Sequence, residues 1–139
     1  MSEGRIVTVT DRYDGDKSFK SDGRRIAWNG PVAILADPGT AGVCEVLAAA
    51  LRDDVGASIL GQRTWGDGAV RRLLPLQHGD GLYLATGKYL SPSGKEWHGQ
   101  GIQPDVAIEG RPTDDGDPQQ KKAIDYLRGQ SLSDERKAA

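Results

Sequence analysis

The sequence predicts an α/β domain, and three neighbouring segments predict it. Residues 31–37, PVAILAD, form a short continuous apolar run of strand length, the kind buried on both faces in parallel sheets. Residues 39–56, GTAGVCEVLAAALRDDVG, follow with apolar side chains at helical spacing. A second apolar run, Ala57–Leu60, comes directly afterwards. Strand, helix and strand in that order give a βαβ unit with a right-handed crossover.

The remaining elements follow from the same rules. Arg5–Thr10 carries β-branched residues in alternation (Ile6, Val7, Val9) and reads as a strand. Residues 14–25 are polar and rich in Asp and Gly, so they read as a hairpin or loop. In the central helix, Val43, Val46, Leu47, Ala50 and Leu51 share one face. Gly39, Thr40 and Gly42 mark its start, Glu45 sits in the first turn where the dipole favours a carboxylate, and Gly56 ends it. After a glycine-rich turn at 61–68, AVRRLLPL and GLYLATGKYL read as strands. The stretch 91–105 is loop chemistry, followed by a short strand at Val106–Ile108 and a further loop at 110–117. A last helix opens with Asp117 as cap and Pro118 in its first turn, with Ala123, Ile124 and Leu127 as its apolar side. The domain is expected over residues 1–129, with 130–139 as a disordered tail.

Composition narrows the function classes. Of 139 residues, 37% are apolar, and no run approaches the roughly 18 consecutive apolar residues of a bilayer helix, so no membrane span is expected. The 18 basic and 20 acidic residues leave a net charge of −2 without a basic stripe, which argues against a nucleic-acid partner. One cysteine, Cys44, excludes an intramolecular disulfide, and His78 and His98 lack ligand spacing, so neither a metal nor another cofactor is expected. The N-terminal residues show no signal-peptide pattern, and the sequence gives no compartment.

Four segments in order resemble one family. They are PVAILADPGTAGVCEVLAAAL, GQRTWGDGAVR, YLSPSGKEWHGQGIQPD and DPQQKKAIDYL. In sequence and spacing, from about Gly4 to Gly129, they resemble the C-terminal half of the catalytic domain of tail-specific (C-terminal processing) proteases. The resemblance implies a partial Clp-protease/crotonase-like fold built from βαβ units around a central sheet. It also implies that a PDZ module and the first half of the core would precede Met1. Exposed sheet edges and apolar faces would then favour a homo-oligomer or a partner chain. Members of the family are often exported.

The resemblance assigns roles to three positions, and each holds an unexpected residue. Family members use a serine–lysine pair, the lysine being neutral so that it can take the serine's proton. The serine position is occupied by Gly42, the lysine position by Asp67, and an assisting glutamine position by Arg71. Glycines and other residues of the family pattern with structural roles remain, among them Gly39, Glu45, Thr64, Gly66, Gly68, Pro92, Gly94 and Asp105. The expectation is a catalytically inactive protease-like domain that binds unstructured peptide C-termini or a partner chain. The backbone N–H groups of Gly42 and Val43, at a helix start, are the candidate anion donors. Two alternatives stand beside it: a peptidase with a rearranged, Cys44-dependent site, and a fragment with no independent role. Cys44 itself is expected to be packed, turned away from Gly42. Asp67 and Arg71 read either as an ion pair or as two solvated charges. His98 reads as a surface residue. Trp65 reads as core packing, although with Trp28 and Trp97 it could form a recognition surface.

Overall fold

A computed structural model of the protein describes residues 4–24, 28, 30–110 and 116–138, with side chains described as far as 129. Among the described residues seven strands and two α-helices follow one another, with a short 3-10 turn at Gln77–Gly79: β1 (Arg5–Asp11), β2 (Lys17–Lys20), β3 (Ala33–Ala36), α1 (Val43–Val55), β4 (Ser58–Gly61), β5 (Ala69–Pro75), β6 (Gly81–Leu90), β7 (Val106–Ala107) and α2 (Pro118–Ala138). They form two sheets. One is antiparallel, in the order β2-β1-β6-β5; the other is parallel, in the order β3-β4-β7.

The βαβ unit is present as β3-α1-β4, with Ile34 paired to Ile59 and Leu35 to Leu60. The central strand of the parallel sheet, β4, is fully buried at Ile59 and Leu60, because a neighbour lies on each side. The outer strand β3 departs from the expected two-faced burial: Leu35 is 42% exposed. A strand at a sheet edge has a hydrogen-bonded neighbour on one side only. The hairpin or loop expected over 14–25 is a hairpin in which β2 pairs with β1.

Helix α1 lies against β1 and β4 and joins the two sheets. The core runs through Val7, Ala36, Val46, Ala48, Ala49, Ile59, Trp97 and Ile102, with Ile6, Ile34 and Tyr89 against it. The predicted apolar stripe of α1 is rotated in fact. Val46 and Ala50 are buried, but Val43 and Leu47 are 78% and 57% exposed. Small residues, Ala48 and Ala49, take the inner positions, in one core cluster with Val7 of β1 and Ile59 of β4. At the far end of α1, Gly56 adopts the left-handed conformation that closes the helix.

The later motifs act as fasteners between elements. Asp105 accepts the Ile59 N–H at 2.8 Å and donates its own N–H to the Ile59 carbonyl at 2.7 Å, which seats the start of β7 on β4. In the turn that follows β6, Ser93 gives both its N–H and its hydroxyl to Asp53 of α1. Helix α2 begins as expected, with Asp117 accepting the Gln119 N–H, and it packs on β3 and β4. Tyr126 and Ser58 share a 2.6 Å hydroxyl contact there. The backbone of α2 is helical through Ala138. Residues 130–138 contain no proline or glycine to stop the helix. Of the loop expected at 110–117, residues 111–115 lie outside the described residues. Among the described residues no helix is long and apolar enough to cross a membrane.

The antiparallel sheet is tied at one end by Asp11. Its buried carboxylate accepts from Tyr13 N–H at 2.8 Å, from Thr86 of β6 at 2.9 Å and from Arg72 of β5 at 3.1 Å. The bond from the Tyr13 N–H, joined by Thr86, Asp14 and Arg72 and opposed by burial, holds this carboxyl down at about 2. A carboxyl lowered from 3.8 to about 2 stabilises the fold fully above the higher value, and that contribution is lost as pH falls through the lower one. Asp11→Asn is therefore expected to lower the thermal midpoint at neutral pH. Its deficit relative to the parent should shrink as the pH approaches 2, read by thermal unfolding across a pH series.

Candidate functional site

The turn before α1 is preformed. Asp37 accepts from the Gly39 N–H and from the Thr40 hydroxyl, at 3.0 and 3.1 Å, and the chain then reaches Gly42. Gly42 is the helix N-cap, with φ 59° and ψ −121°. That backbone region is strained for any residue with a Cβ, at a cost of about 1–3 kcal/mol. Glycine takes it freely.

Glu45, completely buried, organises the site. Its carboxylate accepts the Gly42 N–H at 3.0 Å, which is the reciprocal half of a capping box. It also accepts the N–H groups of Gly66 and Asp67, both at 2.7 Å, and the Thr64 hydroxyl. Thr64 in turn accepts the Ile102 N–H at 2.7 Å. One side chain thus holds together the helix start, the 64–67 loop and the 99–102 loop. Gly66, at φ 96°, has Gly101 N so near that an added Cβ would lie 2.7 Å from it.

The three positions singled out in the sequence come together on this frame. A Cβ built on Gly42 would lie 4.0 Å from the Asp67 carboxylate. Asp67 is paired with Arg71 at 2.7 Å, so of the two readings of these charges the ion pair is the one formed. Both side chains are about one-third exposed, and a pair of that kind contributes about 0–1 kcal/mol. The Gly42 N–H, expected to be an anion donor, is occupied by Glu45. Of the two predicted donors that leaves Val43, the first helical residue.

Four other expectations are corrected or met. Cys44 is exposed rather than packed, because the helix face near its N-terminus is uncovered. Trp65 is 71% exposed rather than part of the core; its N–H is fixed to the Thr40 carbonyl at 2.9 Å, which holds the backbone while the indole projects outward. A shared tryptophan surface does not form, since Trp97 is buried and stacked on Tyr89 with ring centroids 6.5 Å apart. His98 is exposed, as expected. Sequence reasoning placed Glu45 only beside the helix dipole. Its position three residues after a helix cap was the signal for a capping box.

The sequence model of Peptidase family S41 matches residues 1–108. The chain belongs to peptidase family S41. Among its relatives is a carboxyl-terminal-processing protease of Synechocystis sp., 33% identical over 93% of this chain and 31% of that protein. A carboxyl-terminal-processing peptidase of Arabidopsis thaliana chloroplasts is 41% identical over 55% of this chain and 15% of that protein. A solved photosystem II D1 C-terminal processing protease aligns at 32% identity with a TM-score of 0.71, covering 78% of this chain and 28% of that one. A lipoprotein from Streptococcus agalactiae, at 20% identity and TM-score 0.71 over 91% of this chain and 45% of that one, shares the fold. The chain spans about a third, or less, of the length of the curated relatives it matches.

In this S41 chain the Glu45 network accounts for the shape of the site. Glu45→Ala would leave buried N–H donors at Gly66 and Asp67 unpaired, at about 1–3 kcal/mol each. A stability loss of at least about 2 kcal/mol is expected from this variant, measured as a lower urea midpoint. Glu45→Gln keeps one acceptor oxygen and should lose less.

Proposed function

We propose that this S41 domain binds unstructured peptide or a partner segment without cutting it. The observation that carries the reading is the meeting of positions 42 and 67. Where the family resemblance places a nucleophile, Gly42 has no side chain, and a Cβ added there would lie 4.0 Å from the Asp67 carboxylate. Without a hydroxyl there is no acyl-enzyme. The Asp67 carboxylate is paired with Arg71 and faces no hydroxyl that it could activate. The frame is meanwhile intact: the helix start, with Val43 at its first position, still lies beside the 64–67 loop. The exposed Val43, Leu47 and Trp65 supply apolar surface next to it, which suits a peptide or a second chain.

Two measurements test this reading. Mass spectrometry of unfolded protein and apolar-tailed peptides incubated with the folded chain should show no cleavage products. Cleavage by the unmodified chain would overturn the proposal and direct attention to Cys44. The variant Gly42→Ser/Asp67→Lys/Arg71→Gln restores the family's residues at the three positions, and activity appearing in it alone would support the assignments. Calorimetric titration with the same peptides should show binding, and its absence would remove the binding half of the proposal.

A further inference from the structure

Beside the candidate site lies a groove of about 420 Å³, lined by Pro38, Gln62, Arg63, Thr64, Trp65, Gly99 and Gln100. It adjoins the Gly42 frame through two connections. Pro38 belongs to the turn leading to α1, and Trp65 is bonded to Thr40 and lies two residues before Asp67. The lining contains one cation, Arg63, and no carboxylate.

The charges around this groove are unevenly matched. At the helix start, the buried Glu45 carboxylate offsets the positive end of the helix dipole. The Arg71 guanidinium is paired with Asp67. Arg63 is exposed and forms no ion pair among the described residues. An anionic group arriving near this site therefore finds its free positive charge at Arg63. Next to it the Trp65 indole, 71% exposed, offers a flat apolar face, and the amides of Gln62 and Gln100 offer hydrogen bonds to a peptide backbone.

We propose that this groove selects peptides carrying an internal acidic side chain next to an apolar one. Arg63 pairs with the side-chain carboxylate in bidentate fashion, and Trp65 covers the apolar neighbour. The inference rests on the peptide-binding reading above and adds a sequence preference to it. A guanidinium is suited to this task because its planar fork matches a carboxylate, a geometry that the point charge of a lysine would not reproduce.

The test uses three fluorescently labelled unstructured peptides of equal length, each amidated at its C-terminus. Each has a leucine in the middle, followed by Asp, Asn or Lys. Anisotropy titrations with the full chain are expected to rank them Asp, Asn, Lys in falling affinity. The Asp peptide should bind about tenfold more tightly than the Asn peptide. Arg63→Gln should remove that preference, and Arg63→Glu should invert it in favour of Lys. Trp65→Ala should weaken all three peptides alike, leaving their ratio unchanged. A fourth peptide, the Asn sequence with a free C-terminal carboxylate, separates the two sources of carboxylate. If it alone gains affinity through Arg63, the groove reads a chain terminus and the internal-residue proposal is overturned. Equal binding of all peptides, unaffected by Arg63, overturns the groove's selectivity while leaving peptide binding intact. No binding of any peptide removes both readings.

Discussion

The buried carboxylate of Glu45 is the constraint on which the site depends. A fully buried charge is tolerated only where hydrogen bonds compensate the lost water, and here four donors converge on two oxygens. Three of those donors are backbone N–H groups that have no partner in a strand or helix ladder, so the compensation works in both directions. The helix start fixes where the carboxylate sits, and the carboxylate fixes the 64–67 loop. Through Thr64 and Ile102 the same chain of bonds reaches the 99–102 loop. Loops without regular structure would otherwise carry unsatisfied donors into the interior.

This arrangement explains how far the fold could be read from the chain. The strand and helix order was legible because apolar runs and glycine punctuation are local signals, and β1, β5, β6 and α1 appear close to where those signals fall. Burial was less legible. Val43 and Leu47 have helical spacing, yet spacing records only which residues share a face, not whether anything covers it. Cys44 and Trp65 went astray for the same reason. Their residue types are common in cores, but at these positions the structure has nothing lying over them. Arg63 had no sequence signal at all, because its interest lies in the lack of a partner, which only three-dimensional placement reveals.

The site positions were legible in a different way. Resemblance in spacing put positions 42 and 67 in one active-site pattern, and in the fold they are neighbours: a Cβ added at 42 would lie 4.0 Å from the Asp67 carboxylate. What the spacing could not convey was how the Gly42 N–H would be used. It serves the capping box, so the donor left of the predicted pair is Val43. The ion pair at Asp67 and Arg71 likewise depended on a side-chain geometry that sequence separation alone leaves open.

A frame held by backbone donors has a consequence for chemistry. The groups that bind Glu45 at positions 42 and 67 are main-chain N–H groups, present whatever side chain those residues carry. Exchange of the side chains there can therefore remove a nucleophile and a base while leaving the hydrogen bonds that shape the loop. Glycine at 42 even relieves strain, since its φ of 59° costs a side-chain-bearing residue about 1–3 kcal/mol. Catalysis would thus be the more fragile property and shape the more durable one, because the first resides in a few side chains and the second in the backbone and Glu45. Kinship in fold does not by itself transmit activity. The physical basis for that separation is visible here: the hydrogen bonds that hold the helix start and the 64–67 loop to Glu45 use main-chain N–H groups at positions 42, 66 and 67 and no side-chain atom of residues 42, 67 or 71.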